Sequence, residues 1–258
     1  MIDSHCHIAG EEFERDLDAV VRRALDTGVT SALCVLSAGD AAEAARAQQV
    51  RAAWPAVRFS VGVHPHNAGQ FAGRAAEATH LVRTEVARAG ACAIGEIGLD
   101  YHYDFSPRDV QQEIFRAQVA LAREIGLPVI IHTREATEDT FRILAEAGEG
   151  AVRGVFHCFT GDAAMARAAL DIGFFLSFAG IVTFPRAADL REAARLVPSG
   201  RLLSETDSPY LAPVPFRGKR NEPAYLARVV EALAEARGEP AARVAEATEE
   251  AFGVLFGA

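Results

Sequence analysis

The sequence predicts an α/β protein built as a single (β/α)8 TIM barrel, and three observations carry that expectation. Short β-branched or aromatic runs recur eight times along the chain. Each is followed by a helix-like stretch, the pattern of βαβ units around a parallel sheet. The length, 258 residues, is close to the ~250 residues typical of this barrel.

Taken in order, the first strand spans residues 1–7 and leads to a helix with Phe13, Leu17, Val20, Val21 and Leu25 on its apolar face, stopped by Gly28. Strands at 29–36, 57–63 and 91–97 follow. Ser106, Pro107, Arg108 and Asp109 then read as a helix start, with Ser106 as N-cap and the proline at the first helical position. Val110, Ile114, Leu121 and Ile125 recur at helical spacing until Gly126. Strands at 128–132, 153–157, 173–179 and 201–205 complete the set. Pro223 opens a helix with Leu226, Val229, Val230 and Leu233 on one face and Gly238 after it, and a last helix spans Ala241–Phe256. No linker or low-complexity tract intervenes, so residues 1–258 read as one domain. A doubly wound open sheet is the alternative, but no glycine-rich phosphate loop follows the first strand.

Composition removes several function classes. Half the residues are hydrophobic and 24% charged, which rules out wholesale disorder. No apolar run approaches the roughly 18–20 residues a membrane helix needs, and the first residues lack the basic-then-apolar order of a secretory signal. Cys6, Cys34, Cys92 and Cys158 lie in apolar segments without C-x-x-C spacing and read as reduced thiols of a cytoplasmic protein. A net charge of −9 weighs against a protein that coats duplex nucleic acid. It does not exclude an enzyme whose carboxylates gather around cations.

In a barrel of this kind the active site lies at the C-terminal ends of the strands, and the unusual polar residues fall there. His5 and His7 end the first strand, His64 follows the third, Glu96 sits near the end of the fourth, His132 ends the fifth and His157 the sixth, while Glu205 and Asp207 close the eighth. Residues two apart on a strand share a face, so His5 and His7 point together into the barrel and Cys6 points to the helices. Asp3, one layer below, is placed to accept a hydrogen bond from a ligand imidazole. Gathering such groups without counter-charge costs several kcal/mol for each buried carboxylate, a cost that divalent cations remove. Four histidines and at least two carboxylates exceed one tetrahedral ion and suit two ions about 3.5–4 Å apart. The expected assignment gives His5, His7, Glu96 and Asp207 to one cation and Glu96, His132 and His157 to the other, with Glu96 as the bridge. His64 is expected either to contact substrate or to support the ligands from behind, and Glu205 to orient the attacking water or hold a third cation. His66, His80 and His102 read as ordinary loop or helix residues.

Several segments then combine into a recognisable series: Asp3-Ser4-His5-Cys6-His7, Gly62-Val63-His64-Pro65, the run from Gly95 to Tyr101, His132-Thr133-Arg134, the run from His157 to Gly161, the run from Glu205 to Tyr210, and the run from Arg217 to Pro223. In this order they make the chain similar, over nearly its whole length, to the TatD-type metal-dependent deoxyribonucleases, a branch of the amidohydrolase-like barrels. The resemblance implies a metallonuclease, often a 3′-to-5′ exonuclease on single-stranded or frayed DNA, with the ligand set assigned above. Asp162 stands where many relatives carry Ser. Many binuclear amidohydrolase barrels bridge their metals with a carboxylated lysine on the fourth strand. Here Lys219 is the only lysine and lies beyond the eighth strand, which leaves Glu96 for that role.

The expected reaction is phosphodiester hydrolysis by a two-metal-activated water, with Asp207 as base and with Arg134, Lys219, Arg220 and Arg217 holding phosphates at the rim. Phe159, Tyr101 and Tyr210, beside the ligands, are candidates for stacking bases, with core packing an equal reading for Phe159. The mixed ligand set suits Mg, Mn, Zn, Co or Ni. DNA ends are the expected partner, with no membrane and no obligate protein partner. A metallohydrolase of another ester or amide, such as an aminoacyl-tRNA deacylase, would use the same ligands. A non-catalytic nucleic-acid-binding protein with a vestigial metal site is the reading from a different class. A purely structural metal would more often sit in a closed tetrahedral site.

Overall fold

The computed structural model describes residues 1–103 and 105–257. Eight strands form one sheet in sequence order. They are β1 (Ile2–Cys6), β2 (Ser31–Ser37), β3 (Arg58–Gly62), β4 (Ala93–Asp100), β5 (Val129–Arg134), β6 (Gly154–Phe156), β7 (Phe175–Phe178) and β8 (Leu202–Ser204). Helices alternate with them: α1 (Leu17–Asp26), α2 (Ala41–Ala53), α3 (Ala75–Ala89), α4 (Arg108–Ile125), α5 (Thr137–Gly148), α6 (Ala163–Asp171), α7 (Ala188–Leu196), α8 (Leu226–Arg237) and α9 (Ala241–Phe256). Neighbouring strands run parallel. Past β8 the chain returns to β1, where the Asp207 N–H donates to the His5 carbonyl (2.9 Å) and the His7 N–H donates to the Ser208 carbonyl (2.8 Å). This strand order, with the last strand beside the first, is that of the expected (β/α)8 fold.

All eight strands stand where β-branched and aromatic runs predict them. The largest difference is β4, which runs on to Asp100 because its pairing with β5 continues through Asp100 and Arg134. Gly98 makes that approach possible. Its φ is +143°, and a Cβ there would overlap the His132 carbonyl.

Three local expectations change. Ser106 does not cap α4, whose N-cap is Pro107 with no side-chain bond. The buried Ser106 hydroxyl instead donates to the His66 carbonyl and accepts from the Gly69 N–H, both at 2.8 Å, fastening the loop after β3. A serine hydroxyl goes to whichever backbone partner is nearest, and here a distant loop wins over its own helix. Leu25, expected on the buried face of α1, is 49% exposed. Phe13 is buried, but in a short 3-10 turn ahead of that helix.

The chain groups into two compact units, neither continuous in sequence. The first comprises Met1–Val35, Ala41–Arg58 and His157–Ala258, and the second comprises Leu36–Asp40 and Phe59–Phe156. The first is filled by residues such as Phe13, Trp54, Phe175, Phe178 and Leu233, with Trp54 Nε1–H donating to the Thr30 carbonyl. The second buries Ile94, Ile97 and Leu99 of β4 together with Ile114 and Phe115 of α4. All four cysteines are free thiols. Among the described residues, no helix is long and apolar enough to cross a membrane.

Candidate metal centre and active site

In the first unit, alternation along β1 brings His5 and His7 together, with their Nε2 atoms 3.2 Å apart. Asp207 Oδ1 lies 3.7 Å from His5 Nε2 and 3.5 Å from His7 Nε2. Donors around one tetrahedral ion with bonds of about 2.0–2.1 Å stand about 3.3 Å apart. These three atoms therefore already have close to the spacing of one ion's ligands. His157, just past β6, stacks on His5 with centroids 3.9 Å apart and turns Nδ1 to Glu205 Oε1 at 3.3 Å. Glu205 is wholly buried. Its Oε1 accepts from the Cys158 N–H at 2.7 Å, while its Oε2 meets no hydrogen-bond donor among the described residues. A buried carboxylate oxygen in that position is costly unless a positive charge faces it. The donor set of this unit fits a divalent cation.

The backbone around these groups is held in unusual conformations. Asp207 (φ 55°) and Cys158 (φ 42°) are left-handed although neither is glycine. Such conformations persist where the surroundings enforce them. The buried Asn221 does so beside Asp207, its Nδ2 donating to the carbonyls of Thr206 (2.7 Å) and Tyr210 (2.6 Å). Burial works to raise the Asp207 carboxyl, but the His7 hydrogen bond and the neighbouring His5 and His157 rings hold it below the usual carboxylate range.

Asp3 serves a different partner from the imidazole expected. It accepts from the Thr206 N–H (2.9 Å), the Thr206 hydroxyl (2.5 Å) and the His5 N–H (3.3 Å), tying the end of β8 to β1. Burial pushes its carboxyl up to about 7 against the pull of those bonds.

In the second unit, His132 stands between two carboxylates. Its Nδ1 is 2.7 Å from Glu96 Oε1 and its Nε2 is 3.0 Å from Asp100 Oδ2. A neutral imidazole has one N–H, so a second proton or a cation is needed to satisfy both sides. His64 Nε2 lies 3.3 Å from Glu96 Oε1, and His64 Nδ1 accepts from the His66 N–H. Enclosure pushes the His64 imidazole down to about 4, against the attraction of Glu96. His66, expected to be an ordinary loop residue, sets Nε2 3.0 Å from the same Asp100 oxygen. The ligand atoms of His64, His66 and His132 lie within 4.8 Å of one another.

Asp100, like His66, is a residue of this cluster that sequence reasoning missed. It is buried, accepts from the His102 and Tyr103 N–H groups, and is held well below the usual carboxylate range by the His132, Tyr103 and His66 hydrogen bonds, which overcome burial. Its only sequence signal was its place in the segment after Glu96. Two fully buried glutamines of α4 were missed as well. Gln118 brackets Val63, accepting from its N–H (2.7 Å) and donating to its carbonyl (3.0 Å). Gln111 does the same for Asp100, at 2.8 and 3.0 Å.

The remaining predicted residues divide. Lys219 is exposed. Arg134 is exposed over the Tyr103 ring, and Arg217 lies over Phe184. Arg220 is bidentate with Asp16 (2.8 and 2.7 Å) and covers Phe13, so it fastens its loop to α1's approach. Phe159 is buried against Phe178, and the Tyr101 hydroxyl is held by Asp139 and Gln112. Tyr210 alone of the three stacking candidates is well exposed, with its ring edge-on to His7. His102 pairs at the surface with Glu135, and Asp162 caps α6 through the Met165 N–H, a task Ser also performs.

Known proteins resemble this chain along its whole length. The TatD related DNase family matches residues 2–257. The uncharacterized metal-dependent hydrolase YabD of Bacillus subtilis is 41% identical over 99% of the chain and 98% of its own length. A 3′-5′ ssDNA/RNA exonuclease TatD of Klebsiella pneumoniae is 35% identical over 100% of the chain and 98% of its own length. The crystal structure of YjjV, a TatD homolog from Escherichia coli, superposes with a TM-score of 0.88 at 29% identity, covering 100% of this chain and 98% of that one.

Proposed function

Because this chain belongs to the TatD-related DNase family of metal-dependent hydrolases, we propose that it is a cytoplasmic 3′-to-5′ exonuclease on single-stranded or frayed DNA, residues 1–258 acting as one domain. The observation that carries the reading is the set of donors in the first unit: His5, His7 and Asp207 at ligand spacing, beside the buried carboxylate of Glu205. We assign two divalent cations, one to His5, His7, Glu96 and Asp207 and the other to Glu96, His132 and His157. When bound, they supply Lewis acidity toward a phosphate oxygen and make a water acidic enough to attack near neutral pH.

The chain's own residues do the rest. Asp207, kept ionised by its histidine neighbours, takes the proton from the attacking water. Glu205, fixed by the Cys158 N–H, orients that water. His64, largely enclosed and kept neutral, contacts the scissile phosphate. Arg134 and Lys219 hold phosphates of the strand, and Arg220 steadies the loop that carries Lys219. So few cations suit a strand end better than a coated duplex.

The deciding experiment digests a 5′-labelled single-stranded oligonucleotide, with and without a blocked 3′ end, across Mg, Mn, Zn, Co and Ni. A descending ladder that disappears with the block is expected. Cutting that ignores the block means an endonuclease, and no metal-dependent cutting at all removes the nuclease assignment.

A further inference from the structure

The loop after β4 carries a feature that the reaction does not use. Tyr103 is 40% exposed and Phe105 65% exposed. Their rings stack on each other, with centroids 5.2 Å apart and planes 17° from parallel. His66 sets its ring edge-on to both, 5.5 Å from Tyr103 and 4.8 Å from Phe105. That ring is in turn held by the Asp100 oxygen that also meets His132 Nε2. The pair is thus a braced, water-facing aromatic surface, its bracing His66 joined to the proposed metal ligand His132 through two hydrogen bonds by way of Asp100. On the Tyr103 ring lies the Arg134 guanidinium, 4.8 Å from the centroid. Among the described residues, that guanidinium makes no hydrogen bond or ion pair.

A flat exposed π surface beside an exposed guanidinium matches one nucleotide of a single strand. Every base offers a π face, and stacking on an aromatic side chain is tolerant of sequence. Arg supplies a planar charged fork for the neighbouring phosphate. We propose that Tyr103 and Phe105 form a stacking subsite for a nucleobase of the single-stranded substrate, with Arg134 on the adjoining phosphate. This rests on the nuclease reading above and adds to it the means by which an unpaired strand is favoured over a duplex, whose bases are already stacked.

The test uses the metal-loaded enzyme and a set of single-stranded oligonucleotides in which one abasic residue is walked through the terminal nucleotides. For the wild type, one abasic position is expected to lower kcat/KM by about tenfold or more. In Phe105→Ala and Tyr103→Ala that sensitivity is expected to vanish at that position, so that base-bearing and abasic substrates are cut alike. A merely structural role would lower both substrates together and keep the wild-type ratio, which overturns the subsite. Equal cutting of all substrates by the wild type also overturns it. A wild type that cuts no oligonucleotide overturns the nuclease reading and the subsite with it, whereas intact cutting with an unchanged ratio sinks the subsite alone.

Discussion

Glu205 separates a catalytic from a structural role because the two move stability in opposite directions. Its Oε2 is buried without a donor among the described residues, so in the metal-free protein the carboxylate is a burden, and its removal as a charge relieves it. Glu205→Gln keeps an acceptor for the Cys158 N–H while discarding the charge. The metal-free variant is expected to melt no lower than the wild type, with a gain of about 1 kcal/mol, while metal-saturated kcat falls on the order of 100-fold. Calorimetry beside a phosphodiesterase assay reads both numbers. A metal-free variant several degrees less stable would mean that the carboxylate holds the fold together. Asp207 is the complement: it is kept ionised by three histidines and pinned in a left-handed turn by its surroundings, an arrangement that stabilises one geometry of one side chain.

At the scale of elements, α4 is the member that aligns the second unit's cluster of imidazoles and carboxylates. Gln111 and Gln118 stand seven residues apart, two helical turns, and each brackets one backbone residue at the end of a strand. Val63 precedes His64, and Asp100 carries His66 and His132. Gln118→Leu would strand a buried N–H and a buried carbonyl, at a cost of about 3 kcal/mol. Thermal unfolding should show that loss, and kcat/KM should fall further than the fraction of folded enzyme explains, since His64 loses its seat. Wild-type kcat/KM per folded molecule would remove α4 from the alignment of the site. This is also where sequence reading reached its limit. The strands were legible because buried parallel strands are near-continuous β-branched runs, and the clustered histidines because they punctuate the ends of those runs. Gln111 and Gln118 bind backbone atoms of residues elsewhere in the chain, a pairing with no periodicity and no motif, and Asn221, although inside a recognised run, carried no sign of the Thr206 and Tyr210 carbonyls it holds. Ser106 misled for the converse reason: its local pattern is that of a cap, and only the fold brings the His66 carbonyl within its reach.

For the whole molecule, both units concentrate imidazoles and carboxylates in a chain already carrying a net charge of −9. Cations that bind only the folded state stabilise it by about 2.7 kcal/mol per site at a hundredfold excess over Kd. The melting temperature should therefore rise with metal concentration and fall back on chelation, with hydrolysis lost in parallel. On the proposed assignment Glu96 serves both ions, so one substitution at that residue weakens two sites at once. Wild-type protein equilibrated with Zn or Mn and freed of excess is expected to hold two ions per chain by elemental analysis. Glu96→Ala, with neither site left its full donor set, should retain fewer than one and lose most of the metal-dependent rise in melting temperature. If that variant still held one ion firmly, Glu96 would belong to a single site, and the His5, His7 and Asp207 cluster would be the place to look for the ion that stayed, because its donors are spaced for a cation without help from any other strand.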